Sequence, residues 1–99
     1  MHKEDLIAID EFCTLHEIEN SFISSLQKTG LIEITTIEER GFINASELEQ
    51  LEKFIRFHYD LEINLEGIET ITHLLQRIIS MHEEIITLKN RLRLYETND

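Results

Sequence analysis

The side chains that could bind a metal or act as a nucleophile are few and isolated. Cys13 is the only cysteine, and His16 follows it at a spacing of three, so both could lie on one side of a helix. A structural zinc site needs four ligands, and no second pair stands at a suitable spacing. We therefore favour a buried thiol beside a surface histidine, and we predict no metal and no cofactor.

The other histidines and the serines show no catalytic arrangement. His58, His73 and His82 lack a metal-binding spacing and are predicted to lie on helix surfaces. No serine stands in a motif that would build an oxyanion site, and no glycine-rich phosphate loop occurs. The protein is therefore predicted not to be an enzyme and to have no catalytic residues.

The composition favours a small helical protein. The chain has 99 residues, 41% of them hydrophobic, with three glycines and no proline, which is too few turn residues for a β-sandwich. No apolar run approaches membrane-spanning length, and the first residues lack a signal-peptide pattern. A single cysteine excludes an internal disulfide, so we expect a cytoplasmic protein with no membrane partner.

The net charge of −11 comes from 20 acidic and 9 basic residues, and it is unevenly distributed. Residues 1–50 contain 11 acids and 3 bases, whereas residues 51–99 contain 9 acids and 6 bases. An acidic first half could be a solubilising surface or a docking surface for a basic partner. The sequence alone leaves both interpretations open.

The first half contains the pattern of a helix-turn-helix. Asp10 is a suitable N-cap for a helix over residues 11–16. Asn20 or Ser21 can cap a second helix, and Gly30 is expected to end it in the left-handed conformation.

A small β-hairpin and a third helix are predicted to follow. Residues 31–37 are rich in isoleucine and threonine and predict a strand, residues 38–41 a turn, and residues 42–43 the return strand. We expect a capping box at residues 46–49 to start a third helix that ends near Leu61.

The most explicit pattern lies near the C-terminus. Asn64 is expected to cap a helix over residues 65–95, in which apolar residues alternate at spacings of three and four. These a and d positions form the predicted dimer seam: Ile71, Leu74, Ile78, Met81, Ile85, Leu88, Leu92 and Tyr95. An apolar seam in water requires a partner helix, so we predict a homodimer, with a winged helix-turn-helix domain at 1–63 and a coiled-coil dimerisation helix at 64–99.

This order of elements resembles the MerR family of dimeric regulators, and two strings carry the resemblance. Thr29-Gly30-Leu31-Ile32 is similar to the Gly-Leu ending of the family's second helix, and Ile63-Asn64-Leu65-Glu66-Gly67-Ile68 to its entry into the long helix. The resemblance implies a mainly α, MerR-like winged helix-turn-helix fold and an antiparallel dimer.

A narrower resemblance is to the chaperone modulator CbpM family. It rests on Ile9-Asp10-Glu11-Phe12-Cys13 with His16 and Ile18, on residues 60–68, and on the charged heptad end at residues 88–94. Members of that family share the MerR-like fold without being known DNA regulators. The resemblance implies binding to the J-domain of a DnaJ/CbpA-like co-chaperone and inhibition of its work with the DnaK chaperone.

The charges of the predicted DNA-reading surface disfavour DNA as a partner. The second helix contains one base, Lys28, and has Ser24 and Ser25 where MerR regulators usually carry an Arg-Tyr pair. The predicted wing contains Arg40 among glutamates, whereas DNA binding requires several phosphates to be neutralised. Protein binding is therefore the predicted function, with a MerR-type transcription regulator that binds DNA as a dimer as the alternative.

A basic J-domain helix would need an acidic docking surface on this chain. The candidate partner-binding residues are Glu38, Glu39, Glu47, Asp60, Glu62, Glu66 and Glu69. The first three belong to the wing and the start of the third helix, and the last four to the junction of the third and fourth helices. The sequence does not choose between these two patches.

Overall fold

The computed structural model describes residues 5–97, which form four α-helices and one small sheet. The elements, in chain order, are β1 (Leu6–Ala8), α1 (Ile9–His16), α2 (Asn20–Lys28), β2 (Thr35–Ile37), β3 (Arg40–Asn44), a 3₁₀ turn (Ala45–Glu47), α3 (Leu48–Ile55), a π-helix (Arg56–Asp60) and α4 (Leu65–Thr97). The chain divides into two compact units, residues 1–69 and residues 70–99.

A tight turn joins α1 to α2 and confirms the predicted helix-turn-helix. Glu17 adopts a left-handed conformation with φ 57°, and Ile18 N–H donates to the Cys13 carbonyl at 2.9 Å. This bond closes the helix end and leaves Ile18 buried. α1 begins two residues earlier than predicted, because its N-cap is Ala8 rather than Asp10.

Gly30 ends α2 in the left-handed conformation, as predicted, with φ 82°. Gly30 N–H donates to the Gln27 carbonyl and Leu31 N–H to the Leu26 carbonyl, both at 3.0 Å, which is the Schellman pattern. Leu31 completes the helix end and Ile32 is buried in the core, and residues 31–34 form no strand. The predicted strand over 31–37 is therefore reduced to β2.

The sheet has three antiparallel strands in the order β1-β3-β2, whereas the sequence predicted a hairpin of two. The additional strand is β1, which precedes α1 and pairs with β3, with Leu6 opposite Asn44 and Ala8 opposite Phe42. A strand of three residues is too short to show a period of two, which is why the sequence did not reveal it. The strands β2 and β3 and the turn between them form the wing.

The third helix begins differently from the prediction and changes its hydrogen-bond register before its predicted end near Leu61. Asn44 Oδ1 accepts a hydrogen bond from Ser46 N–H at 2.9 Å and caps a 3₁₀ turn, so the predicted capping box is wrong. After α3 the chain continues as a π-helix, in which Leu61 N–H donates to the Arg56 carbonyl at 3.1 Å. Glu62, with φ 57°, then turns the chain toward α4.

The start of α4 agrees with the prediction. Asn64 Oδ1 accepts a hydrogen bond from Gly67 N–H at 2.8 Å, which is the N-cap interaction. A Cβ atom on Gly67 would lie 2.6 Å from Ile63 Cγ2, so this close approach requires glycine. Ile68, one residue later, is fully buried.

The hydrophobic core belongs to the first unit. It brings together α1, α2, β3, α3 and the first turn of α4, and its most buried members are Ile23, Leu26, Ile43, Leu51, Phe54 and Ile68. No helix within residues 5–97 is long and apolar enough to cross a membrane.

Candidate functional site

The surface where a winged helix-turn-helix protein would read DNA is almost uncharged on its helix. A cleft of about 300 Å³ lies between α2 and the wing, and α2 lines it with Asn20, Ser24 and Gln27. Ile9 and Ile34 supply apolar lining. These α2 side chains offer hydrogen bonds but no positive charge for a phosphate.

Arg40, the single base of residues 31–47, is engaged by α1. Its Nη2 lies 3.0 Å from Asp10 Oδ1 and 3.5 Å from Glu11 Oε2, and its guanidinium lies 5.4 Å from the centre of the Phe42 ring. The hydrogen bond from Arg40 lowers the pKa of Asp10, and the same contact raises the pKa of Arg40. The wing's positive charge is therefore already paired with acids.

The wing acids lie in the hairpin turn and in the 3₁₀ turn that follows β3. Glu38 and Glu39 are the two loop residues between Ile37 and Arg40, which pair with each other. Both are exposed and left-handed, with φ 50° and 67°, the conformation of a type I′ turn. Glu47 Oε1 accepts a hydrogen bond from Glu33 N–H at 3.3 Å.

The four junction acids lie along the segment that runs from the end of the π-helix into the first turns of α4. Asp60 ends the π-helix, Glu62 is the left-handed residue after it, and Glu66 and Glu69 lie in the first turns of α4. Asp60, Glu62 and Glu66 are exposed, and Glu69 is half-buried. Residues 57–69 contain no lysine or arginine, so the junction is uniformly acidic.

Beside these acids lies an aromatic cluster that the sequence pattern did not predict. The His58 ring stacks on Phe22 at 4.4 Å and 15°, and Tyr59 meets Phe22 edge-on at 5.6 Å. His58 Nδ1 lies 3.1 Å from the Ile63 carbonyl, which can only accept, so this nitrogen carries the proton. His58 is thus half-buried and not on a helix surface as predicted.

Tyr59 connects this cluster to the helix-turn-helix. Glu19 N–H, at the start of α2, donates a hydrogen bond to the Tyr59 hydroxyl at 3.2 Å. The run Phe54, Phe57, His58 and Tyr59 was the available signal in the sequence, but its spacing did not indicate which rings would meet.

Cys13 and His16 lie as predicted, a buried thiol beside an exposed histidine. Cys13 is buried, and burial, reinforced by the charge of Asp10, raises the pKa of its thiol. The exposed His16 ring packs 4.3 Å from that of Phe12. Within residues 5–97 no group of three histidine, cysteine, aspartate or glutamate side chains could hold a metal ion.

The predicted dimer seam is unpartnered in the single chain. Ile71 is half-buried, and the other seven seam residues have exposed fractions of 49% to 76%. Leu75, Ile79 and Ile86, off the a and d positions, are exposed as well.

The two units differ completely in charge. Residues 1–69 contain sixteen acids and five bases and so carry the whole net charge of −11. Residues 70–99 contain four acids and four bases and are neutral overall.

A helix-turn-helix, a sheet wing and a long C-terminal helix define a winged helix-turn-helix protein. A family model described as MerR HTH family regulatory protein matches residues 7–90, so the chain belongs to the MerR helix-turn-helix family. Searches of curated proteins and of solved structures find no significant match.

Proposed function

We propose that this chain is a protein-binding member of the MerR family. It docks on the J-domain of a DnaJ/CbpA-like co-chaperone and inhibits the work of that co-chaperone with the DnaK chaperone. The observation that carries the proposal is the pairing of Arg40 with Asp10 and Glu11 in a unit of net charge −11. The scaffold of a DNA reader is present without the positive charge that DNA requires.

The charge of this unit favours a basic partner over a nucleic acid. A duplex binder neutralises several phosphates, and each neutralised phosphate contributes to affinity through counterion release. Along α2 and the wing this chain offers Lys28 as its one base outside the Arg40 pair, and the unit that contains them has a net charge of −11. The same potential that repels DNA attracts the basic helix that J-domains present, according to the family resemblance.

In this proposal inhibition is competition for a binding surface and involves no catalytic step. The protein covers the basic surface through which the J-domain reaches the DnaK-type chaperone, so the two compete for one site. Opposite potentials speed the encounter and orient the partners, and a few buried apolar residues supply most of the affinity.

Calorimetry with each J-domain protein of the source genome tests the proposal. We expect at least one to bind with a Kd below about 100 µM, and we expect the chain to suppress stimulation of the DnaK ATPase by that J-domain. The matched control is the same J-domain with its basic helix changed from lysine to glutamate, which should not bind. If no J-domain binds, the proposal fails.

A second candidate is the MerR-type regulator that binds DNA as a dimer, since the matching family is described as a regulatory protein. Fluorescence anisotropy with random and promoter duplexes separates the two functions. We expect no tight duplex binding at physiological salt. Nanomolar binding that weakens steeply with salt would support the regulator instead.

A further inference from the structure

We infer that a basic amphipathic helix of the partner docks at the π-helix and not at the wing. The surface consists of Tyr59, Asp60, Leu61 and Glu62 with Glu19 from the start of α2, and we call it the π-helix surface. The inference rests on the proposed function, because it assumes a basic partner, and it names the docking face that the sequence left open.

Two exposed apolar side chains provide the anchors. Tyr59 is 40% exposed and Leu61 is 62% exposed. By contrast, the large apolar residues of the preceding helix α3 are all buried or half-buried. Tyrosine is among the residues that dominate interface energies when a partner covers them. A partner helix with an apolar residue at either side chain would bury apolar surface that is exposed in the single chain.

Tyr59 is already held in place before any partner arrives. Its hydroxyl accepts a hydrogen bond from Glu19 N–H, and its ring packs edge-on against His58 at 4.8 Å and Phe22 at 5.6 Å. His58 is fixed in turn by its bond to the Ile63 carbonyl. An anchor ordered in the free protein loses little side-chain entropy on binding, which favours affinity.

Free acids alternate with the anchors. Asp60 and Glu62 are exposed, and neither makes an ion pair within residues 5–97. Glu19 adds a third carboxylate where the Tyr59 hydroxyl meets α2. A helix with lysines and arginines around one apolar residue would therefore find both complementary charge and an apolar contact.

The wing offers less to the same partner. It has one exposed aliphatic residue, Ile37, at 45%, beside Glu38 and Glu39. The adjacent Arg40 is cationic, and its guanidinium lies over the Phe42 ring, so this aromatic side chain is not free for a partner. π-helical turns are also frequent at functional sites, which agrees with the choice of the junction.

NMR titration of the full chain with synthetic peptides tests the surface independently of any J-domain. The probe is a helical peptide of lysine and leucine, and its control replaces each lysine by glutamate. We expect the basic peptide to shift the amides of residues 17–19 and 58–63 most, and the acidic peptide to shift none. Largest shifts at residues 36–41, or no shifts, would overturn the inference.

Matched variants then separate the two patches. Leu61→Ser should weaken binding of the basic peptide about tenfold or more, and Ile37→Ser should leave it within about twofold. Charge reversal by Asp60→Lys with Glu62→Lys should abolish binding, whereas Glu38→Lys with Glu39→Lys should have little effect. Circular dichroism confirms that each variant is folded.

The same variants with a J-domain distinguish the failure of this inference from that of the proposed function. If a J-domain binds and only the wing variants weaken it, the π-helix surface is wrong and the proposed function stands. If no J-domain binds while the basic peptide docks at residues 58–63, the surface stands and the proposed partner is wrong.

Discussion

At the scale of single residues, Arg40 determines what the wing can bind. Its nearest acids in sequence are Glu38 and Glu39, so the sequence predicts that it lies among wing glutamates. The structure instead pairs it with Asp10, thirty residues away, at 3.0 Å. That contact depends on the position of α1 beside the sheet, which no local pattern reveals.

Removal of Arg40 should change the titration of Asp10. The hydrogen bond from Arg40 lowers the pKa of Asp10 in the folded protein, so Arg40→Met should raise this pKa back toward its ordinary value. NMR titration of the Asp10 carboxyl measures the change. Glu47→Gln, which removes an acid elsewhere, is the control and should leave Asp10 unaffected.

The pair also gives stability a defined pH dependence. Because the pKa of Asp10 is lowered by folding, its contribution is present above the ordinary pKa and is lost as pH falls through the lowered value. The wild type should therefore lose more stability below about pH 4 than Arg40→Met does. Equal acid sensitivity of the two proteins would contradict this role for the pair.

At the scale of elements, the wing turn places two glutamates where the backbone favours asparagine and glycine. Glu38→Asn with Glu39→Gly should stabilise the protein by about 1 kcal/mol or more, because a left-handed conformation costs most residues about 1–2 kcal/mol. Urea denaturation measures the change. Glu38→Gln with Glu39→Gln removes the same charges without easing the backbone, and an equal gain in that variant would attribute the effect to charge.

The elements with strong local signals could be predicted from sequence, and the others could not. Gly30, Asn64 and the heptads of α4 act through nearby residues, so the helix-turn-helix and the long helix were predicted correctly. β1 has three residues and pairs only through distant contacts. A π-helix differs from an α-helix by one hydrogen-bond register, as at Leu61, and leaves no period in the sequence.

The candidate site was predictable in charge but not in shape. The acids at Asp60 and Glu62 were identified from composition and position, whereas the partial exposure of Tyr59 depends on how its ring meets Phe22. Only the fold brings Glu19 N–H to Tyr59, because forty residues separate them. The sequence therefore indicates the acids, and it does not indicate the exposed apolar side chains beside them.

At the scale of the whole molecule, we expect a homodimer formed through α4, antiparallel as the MerR resemblance implies. Ile78→Asp with Ile85→Asp should yield monomer or unfolded chain, because covering each apolar seam residue is worth about 1.5–3 kcal/mol. Light scattering measures the mass, and circular dichroism shows whether the monomer is folded.

Ser80→Asp with Thr87→Asp is the matched control for the dimer. It adds the same two charges to exposed positions outside the seam and should leave the mass unchanged. An intact dimer in the Ile78 and Ile85 variant would refute the assignment of the seam.

The division of charge between the units gives ionic strength two opposite effects. Screening reduces the repulsion between two units of −11 and so favours self-association through the neutral helix. The same screening weakens the attraction between the acidic unit and a basic partner. A rise in salt should therefore strengthen dimerisation and weaken partner binding. Sedimentation measures the first equilibrium and calorimetry the second, each at two salt concentrations. Effects of the same sign on both equilibria would mean that contacts other than net charge govern them.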